Sequence, residues 1–364
     1  MEVYIRYVSK KVKEFFMKRI IINVLAIMAI IFVPLYAQSE NDFEVKQNSD
    51  NTLTITGYNG TMKNLVIPNT LYGLKVTVIG ESAFINKGLT SVVIPDTVIT
   101  IENAERIFVS GYNRTKGAFR ENEKLTTVIF GNGLKTIGDY AFYGCSQLSE
   151  INIPNSVTRI GNYSLCDVGL KKVSFGTGLQ TIGSSAFAGN EIVELNLPSS
   201  LKEIETEAFR WSKIQKVTFG TGLQTIGAGA FKGNQITELN LPSSLREIGG
   251  GAFAGNLLQS VMLPNGITSI SNYVGYMNWQ GAFENNPLTT VAIPASLANG
   301  GIDSYSSPTF GNIKNSTITR ITIPARMGED TLRGNFEEAF VNFWINQNKA
   351  GGTYVKRGPI WTKE

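Results

Sequence analysis

No histidine occurs anywhere in the 364 residues, and only two cysteines are present, Cys145 and Cys166. The first absence removes the commonest general base, the commonest metal ligand and every Ser-His or Cys-His nucleophile. The second leaves too few thiolates for a zinc site built on cysteine. No Gly-rich phosphate loop and no paired-acid motif beyond the repeats take their place. The sequence therefore predicts no catalytic residue, no metal and no cofactor, and the chain is not expected to be an enzyme. Charged residues are also scarce, at 17% against 42% apolar, which suits a folded chain with a large core rather than a disordered one.

The formal charge of +4 is confined to one end. Residues 1–37 carry six basic groups (Arg6, Lys10, Lys11, Lys13, Lys18, Arg19) and two acids (Glu2, Glu14), leaving 27 of each sign in the remainder. A neutral body gives no electrostatic footprint for nucleic acid or anionic lipid. Lys18-Arg19, the apolar run Ile20–Val33 and the junction Leu35-Tyr36-Ala37 read as a secretory signal peptide, residues 1–37, cleaved after Ala37. An uncleaved signal anchor is the alternative, although the run is short for a bilayer span of about 20 residues. Met17 heads a tidier signal than Met1, so the true start is open between them. No cysteine lies near the junction for lipid attachment. The expected localisation is secreted or cell surface, with membrane contact only through this segment.

What is abundant is a repeated pattern. Ala-Phe recurs at 83–84, 118–119, 141–142, 186–187, 208–209, 230–231, 252–253, 282–283 and 339–340, with degenerate copies at 164–165 and 309–310. That makes eleven units with a basal period of 22–23 residues. In the unit starting at Leu148, Leu148, Ile151 and Ile153 have strand spacing, with Ile151 and Ile153 to one side and Asn152 to the other. Pro154 ends that strand, because it lacks a ladder donor. In alternate units Gly takes its place, as at Gly176, and is expected to turn the chain by a different route. Val157 and Ile160 then point inward, and Ala-Phe packs inward on a short return. One such unit cannot bury its apolar face alone, so the units must stack.

Three residues after the Phe stand Asn122, Cys145, Asn190, Asn234, Asn256 and Asn286. A buried side chain there is expected to satisfy backbone groups at the turn, which makes Cys145 a core ladder residue. Cys166 is two positions out of register with it, and a disulfide between adjacent coils is the weaker alternative. The outward positions Glu150, Lys172, Glu194, Lys216 and Glu238 alternate in sign. At about 4.8 Å between strands, this column reads as a register-fixing charge ladder, with a ligand stripe as the alternative. The same alternation marks a duplication of about 44 residues, so the array grew by copying pairs.

The pattern Leu-x-x-Val/Ile-x-Ile-Pro-x-Ser-Val/Leu-x-x-Ile-Gly-x-x-Ala-Phe-x-Gly-Cys/Asn resembles the BspA-like leucine-rich repeat of bacterial surface proteins. Residues 148–166 and 239–256 follow it almost position for position, and the resemblance covers about 65–340. It implies a repeat solenoid: a curved, right-handed leucine-rich-repeat superhelix with a parallel β ladder, mostly β with short helical or irregular returns. It also implies a place at the cell surface or outside the cell, and association with host matrix proteins or other bacteria. It names no catalytic and no binding residue. The expected organisation is an N-terminal cap at 38–64, the repeat array at 65–324, and a last degenerate repeat with a C-terminal cap at 325–364.

Departures from the repeat point to the ligand. From the strand-end Pro or Gly to the following Phe (Leu165 in one unit) the distance is 11 residues in six consecutive units, Gly131 to Phe253. Elsewhere it grows to 16 (Pro68–Phe84), 24 (Pro95–Phe119), 19 (Pro264–Phe283) and 16 (Pro294–Phe310 and Pro324–Phe340). The extra residues enter one segment of the unit and project from one side, where binding faces often form. They supply Tyr112 and Arg114, then Tyr273, Tyr276 and Trp279, then Tyr305, side chains enriched at interface hot spots. The alternative is that these aromatics fold back over their own loops. Trp211 replaces the Gly of Ala-Phe-x-Gly and should stand out between units, as an anchor or a lid. The expected function is a secreted or cell-surface, adhesin-like bacterial protein binding a host matrix protein, another cell or a glycan. The alternative is a self-associating envelope protein without a foreign ligand.

Overall fold

The structure, a computed structural model, describes residues 39–104, 106–109, 112–271, 273–275, 278–297, 318–325, 327 and 336–364. Residues 40–364 form one compact unit. It is a solenoid, and each regular coil contributes three hydrogen-bonded strips.

The unbroken strip is not the one the Leu-x-x-Ile-x-Ile pattern suggests. It is made by the dipeptide before the conserved Gly: Thr100–Ile101, Thr136–Ile137, Arg159–Ile160, Thr181–Ile182, Glu203–Ile204, Thr225–Ile226, Glu247–Ile248 and Ser269–Ile270 pair in parallel, in chain order. Leu74–Ile79 and Leu53–Tyr58 continue this sheet, and Phe43–Gln47 closes it by pairing antiparallel with Leu53–Tyr58. Each dipeptide turns its Ile inward; Ile137, Ile160, Ile182, Ile204 and Ile226 are fully buried.

The expected front ladder forms in separate pieces. Asn64–Val66, Ser91–Val93 and Thr127–Ile129 make one sheet; Glu150–Asn152 pairs with Lys172–Ser174, and Glu194–Asn196 with Lys216–Thr218. Strand pairing therefore runs within each Glu–Lys doublet, and successive doublets are joined by single bonds just before the strands, Glu191 N–H to Leu170 O and Gln235 N–H to Ile214 O, both 2.8 Å. The charge column is corrected accordingly: Glu238 lies outside any strand, and among the described residues one pair of the column, Lys172–Glu150, closes to 3.9 Å. With both side chains more than half exposed, that contact contributes little stability.

The Pro/Gly alternation has a packing cause. Neither Gly176 nor Gly220 adopts a left-handed backbone. Each instead lies against the coil before it, so that a Cβ on Gly176 would overlap the Pro154 carbonyl, and one on Gly220 the Pro198 carbonyl. Gly is there because the preceding coil carries Pro and approaches closely, not because the chain turns differently.

The third strip is the Ala-Phe turn. Phe N–H groups donate to the Ala carbonyl of the next coil, as in Phe187 to Ala208 and Phe209 to Ala230, both 2.8 Å. The Phe rings stack beneath it: Phe84, Phe119 and Phe142 at 5.0 Å, then Phe187, Phe209, Phe231, Phe253 and Phe283 at 5.2–5.5 Å, with Leu165 in the gap. Beside them runs the amide ladder. Asn234 Nδ2 donates to the Phe209 and Phe231 carbonyls (2.9 Å each), and its Oδ1 accepts from Ser212 and Ile214 N–H (3.0 Å each). Cys145 takes the same place and donates through Sγ to Phe119 O at 3.3 Å; both cysteines are free thiols.

The ends are closed by aromatics. Tyr58 caps the stack against Phe84 (5.7 Å) with Phe43 behind it. At the other end the helix Glu338–Asn346 buries Phe340, Val341 and Trp344, and Phe340 meets Trp361 at 4.8 Å. Gly352–Arg357 and Ile360–Lys363 add an antiparallel hairpin to the last front strand, Arg320–Ile323.

Candidate binding surface

The turn strip places two residues of each regular coil in the left-handed region. The second of them, two residues after the Phe (after Leu165 in one coil), is Gly in four of the described coils, Gly144, Gly189, Gly233 and Gly255. Asn86 and Asn285 hold it near the two ends, and between them Glu121 (φ 62°), Asp167 (φ 54°) and Trp211 (φ 55°) adopt the same conformation with a longer side chain attached. An L-residue there costs about 1–2 kcal/mol relative to a right-handed one, and Gly avoids that cost.

These three alternate with glycine along the strip, and each leans over the glycine of the next coil. The Asp167 carboxylate covers Gly189 and the Trp211 indole covers Gly233, both so closely that a Cβ on the glycine would overlap them. The Glu121 Cγ stands 3.7 Å from the corresponding position on Gly144. Backbone bonds fix the order: Asp167 N–H donates to Ala188 O, Gly189 N–H to Arg210 O and Trp211 N–H to Lys232 O, each at 2.9 Å. Glu121, Asp167 and Trp211 thus form a ridge with one glycine-bearing coil between successive members.

Half-buried side chains flank that ridge. Arg210 lays its guanidinium 3.7 Å above the Trp211 ring and holds Glu207 at 2.6 Å. Arg120 pairs with Glu121 at 2.8 Å and sits 5.4 Å from the Tyr143 ring. Tyr140 stacks on Tyr163 at 4.9 Å and meets Tyr143 edge-on at 5.9 Å. Burial first, then the Cys166 thiol and the Asp167 charge, raise the Tyr143 phenol above its usual range. Burial, then the Arg210 charge, lower the Lys232 ammonium. Asp167 accepts from Cys166 Sγ at 3.4 Å and makes no ion pair among the described residues.

A model of the BspA type leucine-rich repeat region matches six copies in this chain, over residues 57–108, 113–234 and 180–313. The chain belongs to that family. Among solved structures, a leucine-rich cell surface protein from Faecalibacterium prausnitzii A2-165 shares 22% identity over 78% of this chain and 93% of its own, with a TM-score of 0.37. A leucine-rich repeat protein from Bacteroides ovatus shares 19% over 79% and 70%, with a TM-score of 0.49. The pneumococcal vaccine antigen PcpA shares 21% over 81% and 94%, with a TM-score of 0.38. No curated protein matches the chain.

In this BspA-type array the residues singled out from the sequence fall in two groups. Trp211 is on the turn strip and 57% exposed, so it stands out from the surface. Tyr112 and Arg114 lie in the strand Tyr112–Thr115, which pairs antiparallel with Arg106–Val109. Tyr273 and Trp279 lie in a second such hairpin, Tyr273–Gly275 with Asn278–Gln280. Both long inserts are therefore β-hairpins. Tyr276 and Tyr305 lie outside the described residues. Asp167, Glu121, Arg210 and the Tyr140–Tyr143–Tyr163 cluster were not among the residues expected from the sequence. One signal was there to find them: Asp167 stands 44 residues before Trp211 and Glu121 another 46 before that, each replacing the same Gly.

Proposed function

We propose that this chain is a non-enzymatic, protein-binding scaffold displayed on a bacterial surface, acting as an adhesin toward a host matrix protein, another cell or a glycan-bearing protein. One observation carries the proposal: a majority-exposed Trp211, roofed by Arg210, is kept in a left-handed position that neighbouring coils give to Gly. Strain of that kind persists where it is compensated and often accompanies function. Trp and Arg are also the residues most enriched at interface hot spots. Membership in the BspA-type family supports a binding role, since such repeat proteins generally serve as scaffolds. Among the described residues no helix is long and apolar enough to cross a membrane, and no cluster of acids and cysteines fits a metal.

The ligand contacts proposed are Trp211 on the turn strip and Tyr112, Arg114, Tyr273, Tyr276, Trp279 and Tyr305 in the inserts. The test is cell fractionation followed by a binding screen of the full chain against extracellular-matrix proteins. Ala substitution at Trp211, Tyr112, Tyr276 and Trp279 should each weaken any binding found by tenfold or more. Binding unchanged by all four would sink this set of contacts.

Self-association is a second reading, favoured by the outer strand Ile360–Lys363, an edge of the C-terminal sheet that carries Ile360 at 64% exposure. Such an edge can template pairing with another chain. Sedimentation of the purified chain distinguishes the two, because a monomer at micromolar concentration removes the second.

A further inference from the structure

One interface between coils is bonded unlike the others. On the turn strip, the N–H two residues after the Phe donates to a carbonyl of the next coil. Seven such bonds run from Asn86–Arg120 to Gly255–Glu284, all at 2.8–2.9 Å, but none joins Gly144 N–H to Cys166 O. The polar rung fails at the same place. In seven coils, from Asn122 to Asn286, the side chain three residues after the Phe donates to the carbonyl of the preceding coil's Phe, or of Leu165. Val168 holds that position in the coil of Leu165 and has no donor to offer Phe142 O. The ring stack is interrupted there too, because Leu165 stands between Phe142 and Phe187. Ser164, in place of Ala, buries a hydroxyl that has no partner among the described residues.

The front repeats the defect. Thr127–Ile129 and Glu150–Asn152 are not paired with each other. Other front neighbours that lack pairing keep one link, Glu191 N–H to Leu170 O, Gln235 N–H to Ile214 O or Leu257 N–H to Ile236 O, at 2.8–3.0 Å. The equivalent bond, from Gln147 N–H to Leu125 O, is not formed among the described residues. What does cross this interface lies on one side of the coil. Thr136–Ile137 pairs with Arg159–Ile160 in the continuous strip. Next to it Asn162 donates from N and Nδ2 to the Asp139 carboxylate (2.7 and 3.1 Å), and Tyr140 stacks on Tyr163. Tyr140 and Phe142 N–H groups donate to Asn162 O and Ser164 O, both at 2.8 Å, and beyond Phe142 the bonding stops.

In a repeat array each coil is held only by its neighbours, so an interface that lacks these contacts opens before the rest. We propose that this interface is a hinge. The coils of Phe142 and Leu165 part at the turn and the front while Thr136–Ile137 stays bonded to Arg159–Ile160. Tyr112 and Arg114 precede the hinge, and Trp211, Tyr273 and Trp279 follow it, so opening changes the span between two groups of proposed contacts. The hinge itself stands on packing and hydrogen bonds, whatever the chain binds.

The test labels the full chain with excess N-ethylmaleimide at pH 8 over many hours without denaturant, and follows each thiol by peptide mapping. Each rate is divided by that of the same thiol in urea-unfolded protein. Ser212→Cys puts a thiol at the rung position of Cys145, in a coil bonded on both sides. Cys145 should label tenfold or more faster than that introduced thiol. Leu165→Phe combined with Val168→Asn restores ring and rung, and should slow Cys145 labelling tenfold or more. Hydrogen exchange of the unaltered chain needs no variant. The Phe142 amide should exchange tenfold or more faster than those of Phe119 and Phe209, which bond to the next coil at the same 2.8 Å. The hinge is overturned if the three amides are equally protected, or if the introduced thiol labels as fast as Cys145. It is also overturned if the repaired chain folds and Cys145 labelling is unchanged. Should the repaired chain not fold, the other two measurements decide.

Discussion

Single buried groups set how the array responds to substitution. Asn234 makes four hydrogen bonds to backbone in two coils, and none of those partners has water to turn to. Asn234→Ala leaves the Phe209 carbonyl and the Ser212 and Ile214 N–H groups short of a partner, at about 1–3 kcal/mol for each group left fully unsatisfied, while the Phe231 carbonyl keeps Asn256 Nδ2. A loss of at least 3 kcal/mol in denaturant unfolding is expected, and a loss under 1 kcal/mol would refute the ladder's role. The Cys145 thiol is pushed up to about 12 by burial, and Cys166 is raised further by burial and by Asp167. Because both folded-state values lie above the ordinary value of 9.0, the associated stability is complete below about pH 9 and is lost as the pH rises toward 12. Native protein at pH 8 should therefore resist alkylation at both thiols, and urea-unfolded protein should take two labels. Asp167→Gly relieves a left-handed side chain without breaking an ion pair among the described residues, so unfolding should be unchanged or later by up to about 1 kcal/mol. A loss greater than 1 kcal/mol would show Asp167 to be a stabilising residue rather than a displayed one.

At the scale of the element, a coil is defined by what its neighbour lets it do. The Ala-Phe turn and the inward Ile before Gly are legible in the sequence, since periodic apolar positions must find a common interior. Gly176 is different. Its role as a contact with Pro154 depends on two segments 22 residues apart being pressed together, and no local pattern carries that information. Gly176→Ala should cost 2 kcal/mol or more, roughly an overpacking penalty against backbone that cannot rotate away. Pro154→Gly should be far milder, and equal costs would contradict the steric account. The front strands make the same point in reverse. Their sequence alternation looked continuous, yet strand pairing stops after each Glu–Lys doublet, and exposed charges contribute too little to extend it on their own.

At the scale of the whole molecule, packing between Pro95 and Pro242 repeats every two coils, not one, whereas Pro264 and Pro294 follow Pro242 in consecutive coils. The Pro/Gly contact and the alternation of Glu121, Asp167 and Trp211 with glycines both repeat on that longer period. Deleting residues 172–215 joins Lys171 to Lys216 and keeps every Gly coil on a Pro coil. Deleting 172–193 alone joins Lys171 to Glu194 and puts Pro198 on Pro154, where Gly176 had been. The longer deletion should fold with one cooperative thermal transition, and the shorter one should lose several degrees more in midpoint despite removing less core. The opposite ranking would exclude the two-coil period as a packing rule.

The sequence by itself determined that this chain stacks repeats, which residues fill the interior and that no histidine-based chemistry or cysteine-rich metal site is available. Those follow from composition and periodicity, which are properties of the chain alone. Only the tertiary structure decided which ladder is continuous, why Gly alternates with Pro and which side chains stand on the turn strip. Each of those depends on lateral contact between residues about 22 or 44 positions apart. A side chain that leans over the next coil has no neighbour to lean on until the coils are stacked.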